Sequence, residues 1–157
     1  MFLKCNFNMK NLKNILTILI VFCSINCFGQ FNKEEVDNYM MKIDSDTDLL
    51  QGISEGEIEY DGKTGGFEVY DVFHPKTKEL YRIIENTSLD VYTTETYYYQ
   101  NNELIYGKTE SSDLNLLQEV YFYKGIVVYN SDKEKDADYL YKTGARYLEE
   151  HNNDYRK

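Results

Sequence analysis

The amino-acid sequence predicts an α+β fold in which an antiparallel β-meander of about six or seven strands is flanked by an N-terminal and a C-terminal helix. Two observations predict it. Apolar residues recur at helical spacing at both ends of the region that follows residue 30. Between them the chain is rich in tyrosine, valine, isoleucine and threonine, and turn signals recur every dozen residues or so. At least one helix should cover a sheet face, because its apolar stripe has to be buried.

The first 29 residues have the pattern of a secretory signal peptide. Three lysines precede an uncharged apolar run over 15–25, which is shorter than a membrane span, and small residues favour cleavage before Gln30. We therefore expect a protein exported to the periplasm or secreted, without stable membrane insertion after cleavage. The alternative is a lipoprotein anchored through Cys27.

Cleavage would change the composition of the chain. It would leave 128 residues without cysteine and move the net charge from −10 to −13, because the removed segment carries three lysines and no acid. Residues 30–157 are expected to form one domain that depends on its apolar core. A chain this acidic lacks the basic surface that nucleic acids require, so nucleic-acid binding is excluded. A basic partner protein or a divalent cation is electrostatically easier, although the charge can also simply keep the protein soluble.

The two helices are predicted from apolar spacing and from end signals. Apolar residues three and four apart predict the first helix over 32–43. The second is predicted over about 132–150, because Ser131 and Glu134 have the form of a capping box at its start. The last seven residues are polar, which predicts a frayed tail.

Four turn signals divide the region between the helices into strands. They are Asp61-Gly62-Lys63-Thr64-Gly65-Gly66, His74-Pro75-Lys76-Thr77, Gln100-Asn101-Asn102-Glu103 and Lys124-Gly125. Three hairpin units of similar sequence lie within 68–129, and each begins with a glutamate: Glu68, Glu95 and Glu119. The spacings of 27 and 24 residues predict a repeated hairpin with a period near 25.

The units combine an aromatic pair, a short Asn/Gly turn and a Leu-Ile run, as in ETYYYQNNELIYG over 95–107. In this they resemble the small exported hairpin-repeat proteins of Bacteroidota and, more distantly, MORN-type repeats. The resemblance implies a sheet that is used for contact. It implies no catalytic residues and no activity.

Tyrosines supply the candidate binding surface. In an extended strand Tyr97 and Tyr99 point to one face of the sheet and Tyr98 points to the other. Tyr121 and Tyr123, on a later hairpin, can extend this aromatic surface across strands. The sheet face that the helices leave uncovered is the predicted contact surface for a protein or glycan of the cell envelope. At least half of these rings are expected in the core.

One acidic segment has the spacing of a calcium loop. Asp44, Asp46 and Asp48 follow the first helix, and Glu55 stands at the twelfth position of the same frame. Oxygen ligands at positions 1, 3, 5 and 12 are those that a calcium loop uses. The pattern predicts calcium as the one candidate cofactor. The alternative is a solvated acidic linker with turn-forming aspartates.

Catalysis is not expected from the residues present. Four acids alternate along 55–61, so in a strand they share one face, which is typical of a solvated surface rather than of an acid–base pair. His74 falls in a turn and His151 in the predicted tail, so neither is placed to orient a nucleophile or to bind zinc with a partner.

The sequence therefore predicts an exported, non-catalytic binding module of the envelope. The alternatives are an acidic inhibitor of a basic, lysozyme-like enzyme and a small-ligand protein with a cystatin-like or NTF2-like pocket. A flat sheet with tyrosines on both faces would favour the first class. A sheet closed by a helix, with an acid at the floor of the enclosed space, would favour a pocket.

Overall fold

The computed structural model describes residues 31–111, 113 and 116–155. The elements in chain order are α1 (Lys33–Ser45), β1 (Leu50–Tyr60), β2 (Lys63–Phe73), β3 (Leu80–Ser88), β4 (Tyr92–Gln100), β5 (Glu103–Ser111), β6 (Leu116–Tyr123), β7 (Ile126–Asn130) and α2 (Ala137–Tyr155). The seven strands form one antiparallel sheet in sequence order, so the predicted meander with a helix at each end is confirmed. The predicted signal peptide, its cleavage site and all three cysteines lie outside the described residues.

Two-residue turns make three of the hairpins. Both residues have positive φ in Asp61-Gly62 (50° and 73°), in Asn101-Asn102 (53° and 61°) and in Lys124-Gly125 (50° and 74°). Paired positive φ angles define the type I′ turn, whose twist matches that of the strands it joins. The first of these turns corrects the prediction of a six-residue loop over 61–66. Only Asp61 and Gly62 are turn residues, because Lys63 already pairs with Tyr60.

The two faces of the sheet are covered by different helices. Helix α2 packs on the face that carries Ile83, Tyr97 and Val120, which we call the α2 face. Helix α1 hydrogen-bonds to tyrosines on the opposite face, the α1 face. The main core lies between α2 and the sheet and contains Leu80, Ile83, Tyr97, Tyr99, Leu104, Val120, Phe122, Leu140 and Tyr147.

A glycine permits the close approach of α2 to the sheet. A Cβ at Gly144 would lie 2.8 Å from Leu104 Cδ2 and 2.8 Å from Tyr97 Cδ1. At the same point the Tyr99 hydroxyl donates a hydrogen bond to the Gly144 carbonyl at 2.8 Å. The fully buried tyrosine therefore has its polar atom satisfied by the helix that covers it.

The start and end of α2 differ from the prediction. The helix begins at Ala137, where Asp136 Oδ1 accepts a hydrogen bond from the Asp138 amide at 2.8 Å as an N-cap. Asp132 was expected to lie just inside the helix. It lies in a turn before the helix instead, where its Oδ1 accepts a hydrogen bond from the Glu134 amide. The helix also continues to Tyr155, so a frayed tail after residue 150 is wrong for 151–155. His151 is buried there, with 4% of its surface exposed.

Each predicted hairpin unit corresponds to one hairpin of the sheet, but their leading glutamates are not equivalent. The hairpins are β2–β3, β4–β5 and β6–β7. By register, Glu68 and Glu119 point to the α1 face, whereas Glu95 lies opposite Glu85 on the α2 face. The repeat itself stays a prediction. Among the described residues no helix is long and apolar enough to cross a membrane.

Candidate functional site

The five tyrosines predicted to bind a partner occupy different environments. Tyr97 and Tyr99 are fully buried on the α2 face, and Tyr98 and Tyr121 are 7% and 2% exposed on the α1 face. Tyr123 is 38% exposed. Four of the five rings therefore pack in the interior, as expected for at least half of them, and a partner cannot reach them on the described surface. A binding role for Tyr123 stays a prediction.

Four tyrosine rings of the α1 face form an edge-to-face row across four strands, and all but the exposed Tyr129 are buried. Ring centroids are 5.9 Å apart for Tyr98–Tyr106, 4.9 Å for Tyr106–Tyr121 and 5.6 Å for Tyr121–Tyr129. This arrangement suits the electrostatics of aromatic rings. The row is an internal packing element over most of its length.

Helix α1 is held over this row by carboxylates. Tyr121 donates to Asp37 at 2.6 Å, and Tyr98 donates to Asp44 at 2.7 Å. Arg82 also pairs with Asp44. Burial, followed by the hydrogen bond to the carboxylate, raises the pKa of Tyr98 and of Tyr121 to about 12. Both hydroxyls therefore stay protonated donors at neutral pH.

The four predicted calcium ligands are not brought together. Asp44 is committed to Arg82 and Tyr98, and Asp46 Oδ1 accepts a hydrogen bond from the Asp48 amide at 2.9 Å in a tight turn. Glu55 lies inside β1 rather than at the end of the same loop. Within the described ranges no three acidic, histidine or cysteine side chains are grouped as a metal site. Calcium binding by these residues stays a prediction without geometric support.

A cleft opens on the α2 face between the first three strands and the C-terminal end of α2. Its volume is about 540 Å³. The lining residues are Gly52, Ile53, Ser54, Phe67, Val69, Asp71, Ile83, Glu85, Arg146, Tyr147, Glu150, His151, Asp154 and Tyr155. Half of these lining residues are polar or charged, and the others, among them Val69, Ile83 and Tyr147, supply apolar surface. We refer to this space as the α2 cleft.

Two polar side chains face each other on the wall of the α2 cleft. His151 Nε2 lies 2.9 Å from the Lys78 carbonyl, which can only accept, so this nitrogen carries the proton. The other nitrogen, Nδ1, lies 3.3 Å from Asp71 Oδ2 but makes no hydrogen bond to any described residue. In neutral His151 two acceptors therefore confront each other. The Asp71 side chain is 18% exposed in the cleft, whereas Nδ1 is buried and has no hydrogen-bond partner among the described residues.

Small residues on β1 make room for the Asp71 carboxylate and for the α2 cleft. Gly52, Ser54 and Gly56 are consecutive α2-face residues of this strand. A Cβ at Gly52 would lie 2.1 Å from Asp71 Oδ1, so the carboxylate occupies the position that any larger residue would take. Asp71 thus leans from β2 over β1, toward the open edge of the sheet.

The remaining charges give the α2 cleft a negative balance. Its lining includes four carboxylates, Asp71, Glu85, Glu150 and Asp154, against one guanidinium and one imidazole. The guanidinium of Arg146 is already engaged by Glu150, with nitrogen–oxygen distances of 3.0 and 3.2 Å, and lies over the Tyr147 ring. A positively charged group is therefore the one that this lining complements.

A buried acid lies beside the cleft wall. Glu95 is 7% exposed, lies opposite Glu85 in the β3–β4 register and accepts a hydrogen bond from the Tyr97 hydroxyl at 2.5 Å. Burial raises the pKa of the Glu95 carboxyl, against the lowering effect of the hydrogen bonds from Tyr97 and Tyr139. The charge on Glu85 also acts to raise it.

The sequence analysis missed the α2 cleft for an identifiable reason. Its walls come from β1–β3 and from the end of α2, about eighty residues apart, and His151 was assigned to a frayed tail. One local signal was present. The alternation of small residues with acids along 54–57 marks a strand with one open face and one charged face.

Comparison with known proteins identified no relative of this chain. A scan against protein-family models, a search of curated proteins and a search of solved structures each found no match to the chain.

Proposed function

We propose that the protein is a non-catalytic binding module that receives a positively charged group with an apolar stem in the α2 cleft. The observation that carries this proposal is the charge of the lining, four carboxylates against one imidazole and one guanidinium that Glu150 already engages. An ammonium or guanidinium N–H placed against the Asp71 carboxylate, whose side chain is 18% exposed, would meet this excess of negative charge. Phe67, Tyr147 and Tyr155 supply aromatic wall for the stem and for cation–π contact.

We propose the same location in the cell envelope that the N-terminal signal pattern suggests, but a different contact site, the α2 cleft. The tyrosine face was the first expectation, but most of its rings are buried. The α2 cleft supports the alternative of a pocket, since a helix covers this sheet face and the buried Glu95 lies beside the cleft wall. Lysine and arginine side chains of a basic envelope protein belong to the class of group it would accept. This also supports the alternative of an acidic protein that inhibits a basic enzyme.

The test compares two probes that differ only in the terminal ammonium group. N-acetyl-lysine methyl amide should shift the backbone amide resonances of cleft residues in a ¹⁵N–¹H titration, with a dissociation constant of about a millimolar. The norleucine derivative, which has the same stem without the ammonium, should bind at least about tenfold more weakly. Asp71→Asn should remove this preference, whereas Glu103→Gln at the distant β4–β5 turn should preserve it. Equal binding of both probes would refute the proposal.

A further inference from the structure

The two edges of the sheet differ in their capacity to accept another strand. Strand β7 has five residues, and the β6–β7 register shifts between Tyr121 and Phe122. Shortness and bulges both obstruct strand addition. Strand β1 has eleven residues and an unbroken register with β2. Among the described residues the sheet ends at β1, so this edge is long, regular and unpaired.

The hairpin geometry shows which backbone groups of β1 point outward. A two-residue turn closes on a hydrogen-bonded pair, here Tyr60 and Lys63. Counting back from Tyr60, every second residue of β1 directs its N–H and C=O groups to β2. The residues between them direct their N–H and C=O groups to the open edge of the sheet. The outward set is Gln51, Ile53, Glu55, Glu57 and Glu59.

The negative charge along β1 determines which kind of strand could pair with it. The side chains of Glu55, Glu57 and Glu59 all point to the α1 face, and Glu55 lies directly opposite Glu68 on β2. Like charges in directly opposed positions destabilise a sheet. A second copy of β1 would add more acids to this row, so self-pairing is disfavoured. A strand with lysine or arginine at alternate positions would neutralise it.

Open space lies on both sides of β1. On the α1 face a depression of about 620 Å³ is lined by Glu55, Gly66, Glu68 and Asn86, among others. On the α2 face Gly52 and Ser54 border the α2 cleft. Successive side chains of an added strand project to opposite faces, so one set meets the acidic depression and the other meets the cleft. Because Asp71 leans over Gly52, its carboxylate lies about one strand spacing, roughly 5 Å, from such a strand.

We propose that β1 pairs with an extended basic segment of a partner protein, which adds to the sheet as an eighth strand. Its alternate lysines or arginines face the row formed by Glu55, Glu57 and Glu59, and one basic side chain of the opposite set enters the α2 cleft. The inference rests on the proposed function, because it identifies the carrier of the cationic group. Main-chain pairing supplies affinity in this mode of recognition, and alternate side-chain pockets supply specificity.

The experiment uses two capped heptapeptides, Lys-Val-Lys-Lys-Lys-Val-Lys and the same sequence with norleucine as the central residue. Fluorescence anisotropy gives the affinities, and a ¹⁵N–¹H titration maps the contact. Both peptides should shift the outward amides, those of Gln51, Ile53, Glu55, Glu57 and Glu59. The peptide with central lysine should bind about tenfold more tightly. Asp71→Asn should remove that advantage without abolishing binding of the norleucine peptide.

Matched variants separate backbone pairing from charge. Glu57→Gln keeps the outward N–H and should weaken peptide binding only a few-fold. Glu57→Pro also removes the outward N–H. An edge strand tolerates proline at such a position, so the variant should still fold, and it should bind the peptide about tenfold more weakly than Glu57→Gln does. Equal effects of the two variants, or shifts confined to side chains, would show electrostatic adsorption and overturn the inference.

If the lysine derivative binds and the heptapeptides do not, β1 pairing fails while the proposed function stands. If neither binds, the proposed function fails too.

Discussion

At the scale of single residues, Gly144 sets how closely α2 approaches the sheet. Alanine is intrinsically better than glycine in a helix by about 1 kcal/mol. Here its Cβ would lie 2.8 Å from Leu104 Cδ2 and from Tyr97 Cδ1, inside a fully packed core. We expect Gly144→Ala to lower the free energy of unfolding by about 1–3 kcal/mol, because overpacking outweighs the helix preference. Urea unfolding followed by circular dichroism measures this.

A double-mutant cycle tests the steric cause. Leu104→Ala should cost about 2–5 kcal/mol alone, but in that background Gly144→Ala should cost less, because only the close contact with Tyr97 Cδ1 remains. Lys142→Ala, exposed on the same helix, should change stability by less than about 0.5 kcal/mol. Additive effects of Gly144→Ala and Leu104→Ala would contradict the contact as the cause.

Glu95 makes stability depend on pH in a defined direction. Burial raises the pKa of its carboxyl above its ordinary value of about 4.5, so the folded protein holds this proton more tightly than the unfolded chain does. The resulting stabilisation is fully present below about pH 4.5 and is lost as the pH rises through the folded-state value. Glu95→Gln removes this loss. Relative to the wild type, the variant should therefore gain stability as the pH rises above about 4.5.

Urea unfolding of both proteins across this range measures the effect, since all other titrating groups are shared and cancel in the difference. Glu103→Gln, at an exposed turn residue, is the matched control for a glutamate-to-glutamine change. A wild-type-minus-Glu95→Gln difference that stays constant with pH would show that Glu95 titrates alike in both states.

At the scale of elements, α2 depends on one cap that its sequence did not single out. Asp136 Oδ1 accepts from the Asp138 amide at 2.8 Å, at the true start of the helix. Asp136→Ala should therefore cost about 1 kcal/mol, and Asp136→Asn or Asp136→Ser should retain most of the stability. Ser131 does not cap this helix, because its Oγ accepts a hydrogen bond from the Glu119 amide at 2.8 Å. Thermal unfolding compares the three Asp136 variants, and an equal loss of stability in all three would contradict the cap.

The sequence predicted the strands better than the helix ends because the decisive signals are local. Asn101-Asn102 and Lys124-Gly125 adopt positive φ, and asparagine and glycine favour the two-residue turns that require it. The start of α2 has no such decisive local signal. Asp132 and Asp136 each accept a hydrogen bond from the amide two residues further along the chain, but only Asp136 caps a helix. Likewise, His151 is polar and near the end of the chain, but packing against Phe73 keeps that last turn helical.

At the scale of the whole molecule, the arrangement of the faces was beyond the sequence. Alternation placed Tyr98 opposite to Tyr97 and Tyr99, as the structure shows, but it could not say which helix covers which face. The answer depends on side chains distant in sequence, such as Asp37 reaching Tyr121 and Leu140 reaching the central strands. The α2 cleft is a product of the same long-range packing. For that reason residue spacing alone did not predict the pairing of Asp71 with His151.

The burial of so many phenols couples the fold to alkaline pH. Burial is the largest cause of a raised pKa in nine tyrosines: Tyr39, Tyr81, Tyr97, Tyr98, Tyr99, Tyr106, Tyr121, Tyr139 and Tyr147. A raised folded-state pKa gives stability that is full below the unfolded value, near pH 10, and is lost as the pH rises through the folded value. Above about pH 10 the unfolded chain releases these protons and the folded chain retains them. The native state should therefore lose stability steeply over this range.

Phenolate absorbance at 295 nm, followed together with near-ultraviolet circular dichroism, should show the coupling directly. In strong denaturant all sixteen tyrosines should titrate together near pH 10. In the native protein a large part of the absorbance change should be delayed to higher pH and should coincide with the loss of the dichroism signal. Tyr98→Phe and Tyr121→Phe remove two groups whose pKa is about 12 and should each reduce the delayed fraction. A native titration that follows the denatured one, with dichroism intact, would mean that water reaches the tyrosine row and that α1 does not seal it.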